Sequence, residues 1–365
     1  MKKIAILTAC IFTLIIAGLF FMNIREKETQ VTKNQTKVGV LLNGTIDDHS
    51  WSQSHYEAMQ KTAQTLNLAI EYRENVPATN ECLETIISLI KDGCHIIICN
   101  SLLFNLYVQQ AAELFPEVHF YHASGTASLP NLSCYFGRMY QMRYLSGIVA
   151  GMQTETNHIG YVAAFAIDEV NRGINAFTLG VRSVNQQAVV HVRWSYSWTD
   201  EEMNGKAAQE LLDDYDIDVL TMHTDALRPL DIAEQRGVWS IGYNMDNSAT
   251  HPHTFLTAPV WQWEYFYTPH LLSCLEGKFR GGSWWGGAST GVVSLAPLSE
   301  HVRPGTEFLI KKMQNQLTAG TFDIFYGPIK DQNGTVRIQE NESMSDRAML
   351  NEFDWYVQGV LIDAR

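Results

Sequence analysis

Side chains able to hold a small ligand recur in this sequence just after short apolar runs. Trp51 follows the run Val-Gly-Val-Leu-Leu at 38–42, with Asp47 and Asp48 in between. An indole there could stack on a flat ring while a carboxylate accepts its N–H; equally, it could staple a helix start that the aspartates cap. Asn100-Ser101 and Ser124-Gly125 end two further runs, where small polar residues bond a ligand edge or cap the next helix. Trp198 lies beyond a run that contains Trp194, and Tyr243 closes another, followed by Asn244, Met245 and Asp246. Asp246 could accept from an amine or make an Asx-turn. His223-Thr224-Asp225 could be an acid–base pair or a metal half-site, but no nucleophile stands beside it and no second ligand lies at a recognisable spacing. Binding or capping is therefore the reading for Asp225. Trp261 and Trp263, two apart, would face opposite sides of a strand, one toward a cleft and one toward the core.

The elements that must position these residues alternate. Apolar runs at 38–42, 69–73, 95–99 and 119–122 predict buried strands, and helical spacing follows each of the first three, at about 51–66, 82–91 and 106–114. The pattern restarts with strands at 159–163, 189–194, 219–222 and 239–243 and helices at 171–184, 206–213 and 230–235. Two such series imply two α/β lobes, each a doubly wound parallel sheet, in which ligands bind beyond the carboxyl ends of the strands. The expected division is lobe 1 at 37–152 plus about 255–282, and lobe 2 at 153–254 plus about 283–365. The pair Trp284-Trp285 reads as packing, and Asn333-Gly334 as a hairpin turn.

The chain has 365 residues, 46% hydrophobic and 18% charged, which suits folded domains rather than disorder. A formal net charge of -13 argues against nucleic acid as a partner, because a phosphate backbone needs a basic surface. The six cysteines form no C-x-x-C pair and no zinc spacing; Cys94 and Cys99 read as core thiols. No phosphate loop, G-x-S-x-G, H-E-x-x-H or deaminase pattern occurs, so no catalytic residue, metal or cofactor is assigned. Lys2 and Lys3 precede an apolar run at 4–22 that is long enough to cross a bilayer. A cleaved signal peptide would want small residues at its end, and only Ala17-Gly18 comes near. Residues 1–22 are taken as an uncleaved anchor, 23–36 as a polar linker, and the rest as lying outside the membrane.

Residues 38–56, VGVLLNGTIDDHSWSQSHY, together with EVNRGINAFTLG at 169–180, GVWSIGY at 237–243, WWGG at 284–287, GPIKDQNG at 327–334 and WYVQG at 355–359, resemble the basic membrane protein family. These are substrate-binding proteins of ABC transporters with a type I periplasmic-binding fold. The resemblance runs from about residue 36 to the C-terminus. It implies a cleft between two lobes that binds a purine base or nucleoside, a transporter permease as partner, and no enzymatic activity. In the nucleoside-binding branch an Asp ends the first strand, a Phe stacks on the purine and a late Lys meets the ligand. Leu42, Trp51 and Trp261 stand at those places here, which favours a bare, adenine-like base. Trp51 and an opposing Trp198 or Trp261 would then sandwich the base. Asp225 and Asp246 would read its polar edge, with Asp48, Asn100, Ser101, Ser124, Arg172 and Tyr243 completing the wall. Two alternatives remain: a membrane-anchored ligand sensor using the same cleft, and a purine-modifying enzyme with His223 and Asp225 as its acid–base pair.

Overall fold

The structure, a computed structural model, describes residues 35–363. The expected anchor at 1–22 and nearly all of the linker at 23–36 lie outside those residues. Among the described residues no helix is long and apolar enough to cross a membrane.

The first half of the chain runs β1 (Lys37–Leu41), α1 (Trp51–Leu66), β2 (Ala69–Arg73), α2 (Asn80–Lys91), β3 (Ile96–Cys99), α3 (Asn105–Leu114), β4 (His119–Ala123) and β5 (Leu132–Gly137). A helix, α4 (Tyr140–Gln153), leads to β6 (His158–Ala163), α5 (Asp168–Val184), β7 (Val189–Trp194), α6 (Glu201–Asp214), β8 (Val219–His223), α7 (Arg228–Arg236), β9 (Trp239–Ile241) and β10 (Phe255–Thr257). Then follow β11 (Pro259–Trp261), α8 (Glu264–Leu275), β12 (Gly282–Gly286), β13 (Val293–Leu295), α9 (Thr306–Thr318), β14 (Ile329–Lys330), β15 (Val336–Ile338), α10 (Asp346–Asn351) and β16 (Val360–Ile362). Local chemistry explains several boundaries. The Thr79 and Asp200 side chains accept from Glu81 N–H and Met203 N–H at the starts of α2 and α6. Gly237, left-handed at φ 65°, ends α7 with its N–H on the Ala233 carbonyl.

Two six-stranded sheets result, in the orders β12-β5-β4-β3-β1-β2 and β10-β9-β8-β6-β7-β16. Every pairing within them is parallel. Such sheets are buried on both faces, and the strand interiors are correspondingly apolar, as in Ile96-Ile-Ile-Cys99. The order reverses at the same place in each sheet: β1 lies between β2 and β3, and β6 between β7 and β8. These two reversals are where an open α/β sheet leaves a crevice at its carboxyl edge.

The chain crosses between sheets three times, after β5, β10 and β12, and two strands sit differently from the sequence expectation. Residues 255–257, expected back in the first lobe, pair with β9 in the second sheet, Phe255 opposite Ser240. Residues 283–286, assigned to the second lobe, edge the first sheet as β12, with Trp284 opposite Tyr135. A short strand carries no record of its distant partner, so the alternation alone could not place either one. Helix α4 and strand β5 lacked any sequence assignment. Twelve of the fourteen α4 residues are buried, so the helix has no polar face to produce an amphipathic rhythm.

Candidate functional site

A cavity, about 500 Å³ when the space open to solvent is included, lies where the two carboxyl edges face each other. Its wall is built from strand ends of both sheets. From the first come Asn43 after β1, Asn100 to Leu103 after β3, Ser124 after β4, Phe136 in β5, and Trp51 at the start of α1. From the second come Glu169 after β6, Trp198 after β7, Asp225 after β8 and Tyr243 after β9. Apolar enclosure with a few converging polar groups is what a small-molecule site requires.

Trp51 is held rigidly. Its Nε1–H donates to the Asn100 carbonyl oxygen at 2.8 Å, not to a carboxylate. Its ring meets His55, Trp261 and Trp263 edge-on. Asp48 supplies the helix cap: its oxygens accept from Ser50, Ser52 and Gln53 N–H, each at 2.9 Å. Ser50, at the N-cap position, instead accepts a bond across the cleft from Asn244 Nδ2 at 2.9 Å. Trp261 backs Trp51 rather than facing the cavity. It is buried, stacks on Trp263 with centroids 4.3 Å apart, and donates through Nε1–H to Asn244 Oδ1 at 2.9 Å. Neither of the paired indoles faces the cavity, since Trp263 is also fully buried.

Asn244 ties the wall together. Besides donating to Ser50 and accepting from Trp261, it donates to Asp225 Oδ1 at 2.8 Å. Asn247 adds a second link from the same loop, to the His49 carbonyl at 3.1 Å. Asp225 Oδ2 has no protein donor among the described residues. Burial, then the nearby Asp48 charge, pushes the Asp225 carboxyl up to about 8, against the bond from Asn244 and with a further push from Glu169. Burial lifts Glu169 to about 7, opposed by Arg172 and Arg143. Arg143 lies fully buried beneath this region, its guanidinium 4.0 Å from the Tyr243 ring centre and its Nη1 donating to the Met222 carbonyl at 2.8 Å. Burial and these two arginines hold His223 well below the ordinary imidazole value, so it is neutral, and it shares a 3.0 Å bond with the Tyr161 hydroxyl. A neutral His223 makes a poor acid partner for Asp225.

Of the residues singled out in the sequence, Trp51, Asn100, Ser101, Ser124, Trp198, Asp225 and Tyr243 come together on the cavity wall. Asn100 and Ser101 direct side-chain bonds to the protein, Asn100 to Asn43 N–H and Ser52, Ser101 to Leu103 N–H. Asp246 is exposed, away from the cavity, and closes an Asx-turn on Ser248 N–H at 3.0 Å. Arg172 is buried beside Trp285, in a neighbouring recess, with its Nη1 on the Met349 carbonyl. Asp48 caps α1 and acts on the cavity only through its field. Sequence reasoning did not single out Asn43, Leu102, Leu103, Phe136 or Glu169. Glu169 could have been found from its place in the first turn after a strand; Phe136 sat in an unassigned strand. The five cysteines among the described residues are buried and free, and those residues hold no group of three or more potential metal ligands.

Paired doubly wound sheets with one cleft at facing carboxyl edges define a two-lobed substrate-binding protein of the type I periplasmic-binding class. The chain belongs to the Bmp family, PnrA-like ABC transporter substrate-binding proteins, whose profile matches residues 35–321. It is 30% identical to a purine-binding protein of Brucella abortus over 330 residues, covering 90% of this chain and 93% of the relative. It is 33% identical over 317 residues to a putative ABC transporter glucose-binding protein of Haloferax volcanii, covering 86% of this chain and 78% of that one. A solute-binding protein of an ABC transporter system from Aeropyrum pernix superposes with a TM-score of 0.67 at 16% identity, over 88% of this chain and 100% of the other.

Proposed function

We propose that this protein binds a purine base in the interlobe cavity and presents it, outside the membrane, to the permease of an ABC importer. The observation that carries this is the division of the wall. Trp51, Phe136, Trp198 and Tyr243 supply aromatic surface, while the carboxyls of Asp225 and Glu169 gather on the second lobe's side. A flat heterocycle with a polar edge matches that division. The purine-binding relative from Brucella supports the same ligand class.

The haloarchaeal relative favours a second reading, glucose. A hexose carries hydroxyl groups around its whole rim, and each one buried without a partner costs about 1–3 kcal/mol. On the first lobe's side, Asn100 and Ser101 already bond the protein. That wall leaves few partners for a polyol and favours the purine.

Calorimetry on residues 35–365 with adenine, guanine, hypoxanthine, adenosine and glucose tests the choice. Protein should first be stripped of copurified ligand by unfolding, and the released molecule weighed by mass spectrometry. The expected result is binding of at least one free base more tightly than adenosine, with no response to glucose. Glucose binding with no purine response would reject the purine assignment.

A further inference from the structure

We propose that Asp225 reads purine edges in two states: its carboxylic acid pairs with N1 and the 6-amino group of adenine, and its carboxylate pairs with N1–H and the 2-amino group of guanine. This rests on the purine reading above and goes beyond it by assigning the base choice to one side chain and one proton.

The geometry limits what Asp225 can do. Asn244 holds Oδ1 at 2.8 Å, and its amide is also committed to Ser50 at 2.9 Å and, through its oxygen, to Trp261 at 2.9 Å, so the donor that anchors the carboxyl is itself fixed. Asp225 lines the cavity, its Oδ2 has no protein donor among the described residues, and Oδ1 keeps a second lone pair. Two neighbouring oxygens suit a two-point contact with a planar edge. Adenine presents an acceptor, N1, beside a donor, the amino group. Only the protonated carboxyl matches it, with Oδ2–H donating to N1 and Oδ1 accepting from the amine. Guanine presents two donors side by side, and only the ionised carboxyl accepts both. Hypoxanthine, one donor beside one acceptor, follows adenine.

The groups facing Asp225 make both states accessible. Asp48 approaches from the loop before α1, Glu169 from the first turn of α5, and the Tyr243 hydroxyl from the strand end beside it. Among the described residues no cation is one of the groups that shift Asp225; Arg143 and Arg172 act on Glu169 and His223 instead. With burial added, the acid persists to about pH 8. Below that value the acid dominates and adenine is matched; above it the carboxylate dominates and guanine is matched.

The test is calorimetry of the ligand-stripped protein with adenine and with guanine at about pH 6 and about pH 8.5. Apparent affinity scales with the competent fraction, so adenine should weaken about fourfold and guanine tighten by more than about tenfold across that span. Asp225→Asn mimics the acid, one donor beside one acceptor; it should keep adenine binding, lose the pH dependence and fail to gain guanine at the higher pH. The two bases moving in the same direction in the unmodified protein, or opposed trends that persist in Asp225→Asn, would overturn the proposal. Failure of every purine to bind at either pH would instead remove the purine reading, and this assignment with it. Because the unmodified protein alone shows or lacks the opposed trends, a poorly folding variant does not leave the question open.

Discussion

Replacing Trp51 by alanine is expected to weaken purine binding by about tenfold or more. A base stacked on an aromatic ring loses about 1–3 kcal/mol when that ring is removed, and each 1.4 kcal/mol is about tenfold. The upper part of the range is expected because the indole is preorganised: the Asn100 carbonyl and the edge-on His55, Trp261 and Trp263 rings fix its plane before ligand arrives. Trp51 is also largely buried, so the same change costs about 3–5 kcal/mol of stability. Trp51→Phe separates the effects. It keeps an aromatic face while losing the N–H bond and part of the ring area, so binding should stay within a few fold of the parent. Calorimetry together with circular dichroism checks both variants. Unaltered affinity in a folded Trp51→Ala would take the indole out of the site.

The second large effect is on stability. Helices α4 and α5 touch backbone to backbone. A Cβ at Gly147 would lie 2.0 Å from the Phe177 carbonyl oxygen, and one at Gly180 would lie 2.0 Å from the Tyr144 carbonyl oxygen. Real Cβ atoms do not approach so closely, and what they would meet is main chain, which cannot rotate away as a side chain can. Gly147→Ala should therefore destabilise the protein by about 3 kcal/mol or more, at the top of the usual overpacking range. Denaturant unfolding measures it, as a lower midpoint with little change in slope. The same two helices carry Arg143, beneath Tyr243, and Glu169 on the cavity wall. Parting them should also loosen ligand binding. An unchanged midpoint would mean that α4 and α5 do not meet at this distance.

Much of the molecule is legible in its sequence. The alternation of apolar runs and helical spacing located the strands from β1 to β4 and β6 to β9, because a parallel sheet covered on both faces demands continuous apolar runs. The strand-end rule pointed to Trp51, Trp198, Asp225 and Tyr243, which line the cavity, since loops after the strands of such sheets converge there. What resisted was of another kind. Twelve of the fourteen α4 residues and five of the six β5 residues are buried, so no polar face gave their period away. The partners of β10 and β12 depend on contacts far along the chain.

Local sequence thus determined which segments are strands and helices, and which loops lie at the ligand edge, because periodicity and burial on both faces are properties of neighbours in the chain. Only the tertiary structure decided which polar and aromatic side chains serve the cavity. Asp225 and Asp246 both follow second-lobe strands, yet one is enclosed opposite Asp48 while the other closes an exposed turn. Trp51 and Trp261 are both indoles near the cleft, yet one lines it and the other packs behind it. Those choices are made by bonds between distant parts of the chain, above all the three held by Asn244, of which the one to Ser50 crosses between the sheets, and residues so far apart in sequence leave no local sign of meeting.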